Sequence, residues 1–488
     1  MFSKARLARP QRDGAATGKV GESYKSPPSS SSTENVKMRS RGVTKSSCLL
    51  LLLLTHLSAP VEARRGAESL PLGFTAEDTT VDNVFEQAES LKQSLSPQDR
   101  DMKLHFLKNA SVTCNDGSPA GYYLKESKGS KRWLLFLEGG WYCFSKITCD
   151  FRFKKIKTLM GSFTWPQTTG GILSSREEGN PYWWNANKVF IVWFCIHFSG
   201  GYAFMGSLII REVVNELLTK GLDKAQVLLL AGSSSGGIGV LVNVDHVAQQ
   251  LESQGHRGVQ VRGLSDSGWV VERKKYKFGD CTDILNCGPI SLVKRSIRFW
   301  RTIMPENCRR AYVGAEWNCF FGNKIYPTLK SPMFVVQCLF DQAQFMFFNG
   351  TLSGEPTAEG QWNYLLSLGQ ELRSTLHNLS AVFAPSCLAH EFINQISWMN
   401  FEVKGTSLPN ALHCWDQNLQ DNNHPKHKNP HMGGCPQQLI DSCTMPHCNP
   451  TCQSIYDEGT ERDVNASQLL KYMSYDVPMT QWQRMEGR

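Results

Sequence analysis

Gly232-Ser233-Ser234-Ser235-Gly236 stands between an apolar run, Val227-Leu228-Leu229-Leu230-Ala231, and a helix-like segment over residues 237–251. A strand, then G-x-S-x-G, then a helix is the setting of a nucleophile elbow. Small residues on both sides let the backbone turn sharply and lift the central serine, Ser234, above the sheet edge. A serine hydroxyl is a poor nucleophile at neutral pH, so it needs an imidazole base, and the imidazole needs an orienting carboxylate. In this architecture the three follow in the order Ser, Asp, His, each on a loop after a strand. Asp341 ends the apolar run 333–340, and His390 follows Ser380-Ala381-Val382-Phe383 through a short loop containing Cys387. The pattern predicts Ser234 as nucleophile, Asp341 as acid and His390 as base. Asp341 also has the position of a helix N-cap before Gln342-Ala343-Gln344. Asp266, in Leu264-Ser265-Asp266-Ser267-Gly268, is the rival acid because it too follows a strand. His413, His424, His427, His431 and His447 lie in a polar region instead.

Acyl transfer also needs donors for a developing oxyanion. Leu135-Phe136-Leu137-Glu138-Gly139-Gly140-Trp141 ends a strand in a glycine pair, which lets N–H groups point inward with no Cβ in the way. The expected donors are the backbone N–H groups of Gly140, Trp141 and Ser235.

The elements that must position these groups are readable from apolar periodicity. Strands are expected over residues 132–137, 189–193, 227–230, 259–264, 333–340 and 380–383, and helices over 208–219, 237–251 and 364–376. Strands alternating with helices predict an α/β fold, a mainly parallel sheet with helices on both faces. Residues 410–452, rich in Cys, His, Pro and Asn, are expected to wrap the domain as a disulfide-stapled irregular cap.

The 488 residues carry a formal net charge of +8 and 16 cysteines. Residues 1–65 read as a basic, Ser/Pro-rich leader plus signal peptide. The leucine-rich run 48–57 and the small-x-small site Val61-Glu62-Ala63 fit secretion, since ~10 apolar residues cannot cross a bilayer that needs ~20. Residues 66–100 form an N-terminal extension with a helical rhythm over 80–95, residues 101–455 the catalytic domain, and residues 456–488 a tail. The polar C-terminus carries no anchor signal, so no transmembrane span is expected and the protein is expected to be secreted and extracellular. Secretion predicts disulfides. With Cys48 in the signal an odd number of cysteines remains, and Cys338, inside an apolar run, is the expected unpaired one. Cys435, Cys443, Cys448 and Cys452, near His431 and His447, imitate a metal site but are expected as bridges; no metal and no cofactor are expected. Sequons at Asn109, Asn349, Asn378 and Asn465 fit a glycoprotein. Basic patches at residues 273–277, Arg309-Arg310 and 424–428 suit a sulfated glycosaminoglycan rather than nucleic acid, given the compartment.

Several longer motifs share one resemblance. Glu138-Gly139-Gly140-Trp141-Tyr142-Cys143-Phe144, Asn180-Pro181-Tyr182-Trp183-Trp184-Asn185-Ala186-Asn187 and the serine elbow together resemble the Notum family of secreted carboxylesterases, relatives of the plant pectin acetylesterases. Trp317-Asn318-Cys319-Phe320-Phe321-Gly322 and Leu412-His413-Cys414-Trp415-Asp416 extend the likeness, which runs over about residues 109–452. The resemblance implies an α/β-hydrolase fold and removal of the palmitoleoyl group from a serine of Wnt proteins, which silences Wnt signalling. It places nucleophile, acid and base on Ser234, Asp341 and His390, and lines an acyl pocket with Trp141, Tyr142, Phe320 and Phe321. It also implies heparan sulfate on glypicans as a partner. Each methylene moved out of water is worth ~0.8 kcal/mol, so a long acyl chain can contribute ~10 kcal/mol before entropy costs.

The chain departs from the family in three places. Where the family carries a polar Cys-Ser-Ser-Asp segment and a serine-rich loop, this chain reads Val192-Trp193-Phe194-Cys195-Ile196-His197-Phe198-Ser199-Gly200-Gly201. Cys338 stands where a tryptophan is usual, and Val270 replaces an aromatic at the pocket wall. Two other functions fit the same residues: a polysaccharide O-acetylesterase, and a non-catalytic lipid- or glycosaminoglycan-binding isoform.

Overall fold

Continuous apolar strings such as Arg132–Leu137 and Val227–Ser233 form strands buried on both faces, as the inner strands of a parallel sheet must be. The computed structural model describes residues 102–140, 143, 145–155, 160–162, 170–191, 204–272, 289–347, 359–423, 436–453, 455–457 and 462–464. The leader and signal, the extension over residues 66–100, the segment 192–201, Trp141, Tyr142, Asn349, Asn465, the basic patches 273–277 and 424–428 and most of the tail lie outside them.

The main sheet has nine strands: β1 Lys103–Phe106, β2 Gly121–Lys125, β3 Arg132–Leu137, β4 Asn187–Ile191, β5 Val227–Ser233, β6 Gln260–Asp266, β7 Met333–Val336, β8 Val382–Ala384 and β9 Gln438–Ile440. Their spatial order is β1-β2-β4-β3-β5-β6-β7-β8-β9. Strand β2 runs antiparallel to both its neighbours, and every other pairing is parallel. This is an α/β-hydrolase arrangement. Helices α1 Lys146–Lys155, α2 Gly206–Leu218, α3 Ser235–Ser253, α4 Pro289–Trp300, α5 Glu306–Ala311, α6 Gly322–Ile325, α7 Gln342–Phe347, α8 Glu359–Leu376 and α9 Leu408–Asn423 connect and cover it. On α2 the buried residues Ile209, Ile210, Val213, Val214 and Leu217 recur at helical spacing, which makes one face apolar.

The predicted sheet core is present, with three corrections. The run 333–340 is not one strand: β7 stops at Val336, and Phe340–Asp341 instead forms a separate parallel bridge with Leu388–Ala389. The buried Gln337 makes the break, because its amide bonds Trp269 N and Asp341 Oδ2. The stretch 410–452 is not irregular throughout, since Leu408–Asn423 is a helix and Gln438–Ile440 is the ninth strand. Of the cysteines expected as bridges, Cys443 pairs with Cys448 and Cys452 with Cys387, which staples this region, while Cys435 lies outside the described residues. The antiparallel pair β1–β2 was not foreseen; β1 is short and leaves Leu104 and Phe106 exposed at the sheet edge, which masks its pattern.

The motif around residues 412–416 is explained by one buried carboxylate. Asp416 on α9 pairs with Arg262 Nη1 of β6 and, at 2.9 Å, with Arg132 Nη2 of β3. Arg132 in turn lies 3.8 Å over the ring of Trp183. The side chains of Asp416 and Arg262 are 0% and 1% exposed, so neither charge has water as an alternative partner. Removing one member of such a cluster leaves an uncompensated buried charge, which typically costs about 3–5 kcal/mol. Asp416→Ala is therefore expected to lower the unfolding free energy by about that amount in urea titration. A loss under about 1 kcal/mol would mean that the guanidinium groups find other partners.

Candidate active site

Strand β5 ends at Ser233 and α3 begins at Ser235, so Ser234 occupies the turn between them, with φ 55° and ψ −124°. A non-glycine residue in such a conformation costs about 1–3 kcal/mol and persists only where the surroundings impose it. Here they do. The Ser234 N–H donates to Asp266 O at 2.8 Å, and the Ser234 carbonyl accepts Ile238 N–H at 3.1 Å. A Cβ on Gly236 would strike the carbonyl oxygens of Leu137 and Glu138, and one on Gly139 would lie 3.1 Å from Ser234 Cβ. The end of β3 and the serine turn are thus pressed together at backbone distance, which only glycine allows. Across residues 227–245 only Ser234 and Ile238 are partly exposed.

The structure brings the three predicted side chains into one hydrogen-bonded chain. His390 Nε2 is 2.8 Å from Ser234 Oγ, and His390 Nδ1 is 3.1 Å from Asp341 Oδ2. The bridge pairing Ala389 with Asp341 sets the carboxylate beside the imidazole, and the Cys387–Cys452 disulfide ties down the loop that bears it. Asp341 is fully buried and the imidazole 19% exposed. Asp341 also has the contact of a helix cap, because Oδ1 accepts Gln344 N–H at 2.8 Å in the first turn of α7. Gln337 Nε2 donates to Oδ2 at 2.7 Å. The rival acid is corrected: Asp266 makes no hydrogen bond to the imidazole, and its carboxylate instead accepts from Ser233, Ser267, Phe392 and Ile393.

Burial by itself disfavours the imidazolium, but Asp341, through charge and hydrogen bond, and then Glu391 and Asp266 outweigh it and raise His390 from 6.5 to about 9. With Nδ1–H directed to Asp341, Nε2 is the acceptor for the serine proton whenever the ring is neutral.

Of the expected oxyanion donors, Gly140 has φ 144°, a backbone that side chains rarely tolerate, immediately after the glycine that abuts Ser234. Ser235 begins α3, where N–H groups lack intrahelical acceptors and the helix dipole favours negative charge. Phe320 and Phe321 are buried and meet edge to face at 6.1 Å. They cluster with Val270 and Val293 and pack against Ile238, one helical turn beyond Ser234. A cleft of about 190 Å³ between α2 and α3, bordered by Arg211, Asn243, His246 and Ile303, shares no residue with this group. Cys338 is free and buried, as expected.

Gln337, Gln344, Ser267 and Glu391 were not anticipated. Gln337 left a signal, a lone amide inside the apolar stretch Met333-Phe334-Val335-Val336-Gln337-Cys338-Leu339-Phe340. Glu391 left none, because its significance comes from a positive φ of 66° and from its place against Gly139.

Comparison with known proteins gives one family model and several relatives. The family model described as Pectinacetylesterase matches residues 95–453. Palmitoleoyl-protein carboxylesterase notum1a of Danio rerio is 57% identical over 426 residues, covering 84% of this chain and 85% of its own. Palmitoleoyl-protein carboxylesterase NOTUM of Homo sapiens is 54% identical over 432 residues, covering 85% and 87%. The protein of that name in Drosophila melanogaster is 38% identical over 404 residues, covering 78% and 59%.

A site of this kind works only with a neutral imidazole, so ester hydrolysis is expected to rise with pH along a limb displaced above 6.5, toward 9. Glu391→Gln removes one of the carboxylates that favour the proton and should move the limb to lower pH. A kcat/KM profile on a p-nitrophenyl ester measures both. A limb at or below 6.5, unmoved in the variant, contradicts the electrostatic account.

Proposed function

The chain belongs to the pectinacetylesterase family and groups with its Notum carboxylesterases, and from that premise we propose that it removes the palmitoleoyl group from a serine of Wnt proteins and so dampens Wnt signalling. The chain is a carboxylesterase. The observation that carries the reading is the continuous contact from Ser234 Oγ through His390 to the buried carboxylate of Asp341.

Ser234 Oγ attacks the ester carbonyl while His390 Nε2 takes its proton. The oxyanion is received by the N–H groups of Gly140, Trp141 and Ser235, where losing one donor typically costs ~10²–10³ in rate. The imidazolium returns the proton to the departing serine oxygen of the substrate. Water, deprotonated by His390, then releases the fatty acid from Ser234. Asp341 stays ionised throughout and holds the ring in one tautomer. The acyl chain lies against Trp141, Tyr142, Phe320 and Phe321, with Val270 leaving more room than an aromatic would.

The protein acts outside the cell in this reading. Disulfides Cys143–Cys149, Cys308–Cys319, Cys387–Cys452 and Cys443–Cys448 suit an oxidising compartment, and the sequon residues Asn109 and Asn378 are exposed. Among the described residues no helix is long and apolar enough to cross a membrane. Heparan sulfate on glypicans is the proposed surface partner, with the basic patches 273–277 and 424–428 as its contacts. The Arg309-Arg310 patch contributes less than its sequence promises, because both guanidinium groups pair with Glu306.

Ser234→Ala should lower ester turnover by roughly 10⁴-fold or more and abolish fluorophosphonate labelling, with secretion and thermal unfolding unchanged. The wild type should cleave a palmitoleoylated serine peptide in preference to an acetylated polysaccharide. Retained turnover in the variant refutes the nucleophile, and a preference for acetyl esters refutes the substrate.

A further inference from the structure

Asp266 ends β6 and stands in parallel register with Ser233, the residue before the nucleophile. It is 0% exposed. Its carbonyl accepts the Ser234 N–H at 2.8 Å. Its Oδ2 accepts Ser233 Oγ–H at 2.9 Å, Phe392 N–H at 2.7 Å and Ile393 N–H at 3.0 Å. Its Oδ1 accepts Ser267 Oγ–H at 3.0 Å, and that same hydroxyl oxygen accepts Glu391 N–H at 3.0 Å. One side chain thereby holds the residue before Ser234 and, directly or through Ser267, the three residues after His390.

The backbone it holds is strained. Ser234, Ser267 and Glu391 have φ of 55°, 52° and 66°, and all three lie inside this network. Four donors converge on the carboxylate, which suits the ionised form, since a protonated carboxyl gives up acceptor capacity. Burial pushes its pKa up to about 6, which leaves it an anion at neutral pH, held by hydrogen bonds from N–H and O–H groups.

We propose that Asp266 is a positioning residue of the esterase: its buried carboxylate fixes the base-bearing loop to the nucleophile strand and so sets the Ser234–His390 contact while bonding to neither side chain. The inference rests on Ser234 acting as nucleophile. If Asp266 is lost, residues 391–393 are released, the imidazole drifts from Oγ, and the chemical step slows. Of the apolar cluster, Val293, Phe320 and Phe321 come from other segments and only Val270 follows β6, so acyl binding is expected to change little. The negative charge of Asp266 also favours the imidazolium, so its removal makes His390 easier to deprotonate.

The test compares wild type, Asp266→Ala, Asp266→Asn and Ser234→Ala as full chains, with p-nitrophenyl octanoate as substrate and thermal unfolding as a check. Asp266→Ala is expected to lower kcat by ~10²-fold, the scale of a small misplacement, with KM nearly unchanged. Asp266→Asn keeps an oxygen for the three donors at Oδ2 and should recover most of that kcat. Both variants lack the charge, so both should shift the pH–kcat limb to lower pH. Should the alanine variant not fold, the limb of the asparagine variant decides. Wild-type kcat in folded Asp266→Ala, a defect confined to KM, or an unmoved limb in Asp266→Asn overturns the proposal. Turnover persisting in Ser234→Ala sinks the esterase reading itself, whereas a dead Ser234→Ala beside unaffected Asp266 variants sinks only this inference.

Discussion

The turn at Ser234 is a place where β-sheet backbone, helix backbone and a reactive side chain compete for the same small volume. Its positive φ is unfavourable in isolation and is imposed by contacts on three sides. Below, the Ile238 N–H donates to the Ser234 carbonyl; laterally, Asp266 O accepts the Ser234 N–H; and the Gly139 backbone closes the third side. The neighbours that lock the turn also prepare the chemistry. Gly139 leads into the glycine expected to bind the oxyanion, and Ser235 supplies the free N–H of a helix start. Relaxing the turn would therefore remove geometry from nucleophile and oxyanion site together.

Three buried aspartates show how a low-dielectric interior can carry charge in different ways. Asp416 is met by two guanidinium groups and fastens α9 to the sheet. Asp341 is met by an imidazole, an amide and a helix N–H, so its charge is directed to the ring while its position is fixed by the other two. Asp266 is met by hydroxyl and backbone N–H donors, and burial raises its pKa to about 6. Burying an unpaired carboxylate is otherwise costly, so each is retained where its removal would loosen a junction between segments distant in sequence.

Phe320 and Phe321 stand on other segments than the Ser234–His390–Asp341 contact. Ser234, Asp341 and His390 follow β5, β7 and β8, with the loop of His390 further anchored by the Cys387–Cys452 disulfide. The aromatic cluster of Phe320 and Phe321 belongs to a segment held by Cys308–Cys319 and touches α3 at Ile238.

Much of this was legible in the residues themselves. Long apolar runs such as Leu228-Leu229-Leu230 report strands covered on both faces, and a G-x-S-x-G after such a run reports the turn, because both signals are local steric requirements. The order Ser234, Asp341, His390 followed from the alternation of strands and loops. What sequence left open was decided by long-range pairing. Both Asp266 and Asp341 follow strands, so sequence favours Asp341 but leaves Asp266 as a rival partner of the imidazole; the bridge between Phe340–Asp341 and Leu388–Ala389 separates them. The helix and ninth strand inside the Cys- and His-rich region were likewise settled in three dimensions. Sequence thus determined which groups this protein has for chemistry and roughly where each lies along the sheet. The tertiary structure alone decided which carboxylate faces the base, because that depends on hydrogen bonds between residues dozens of positions apart.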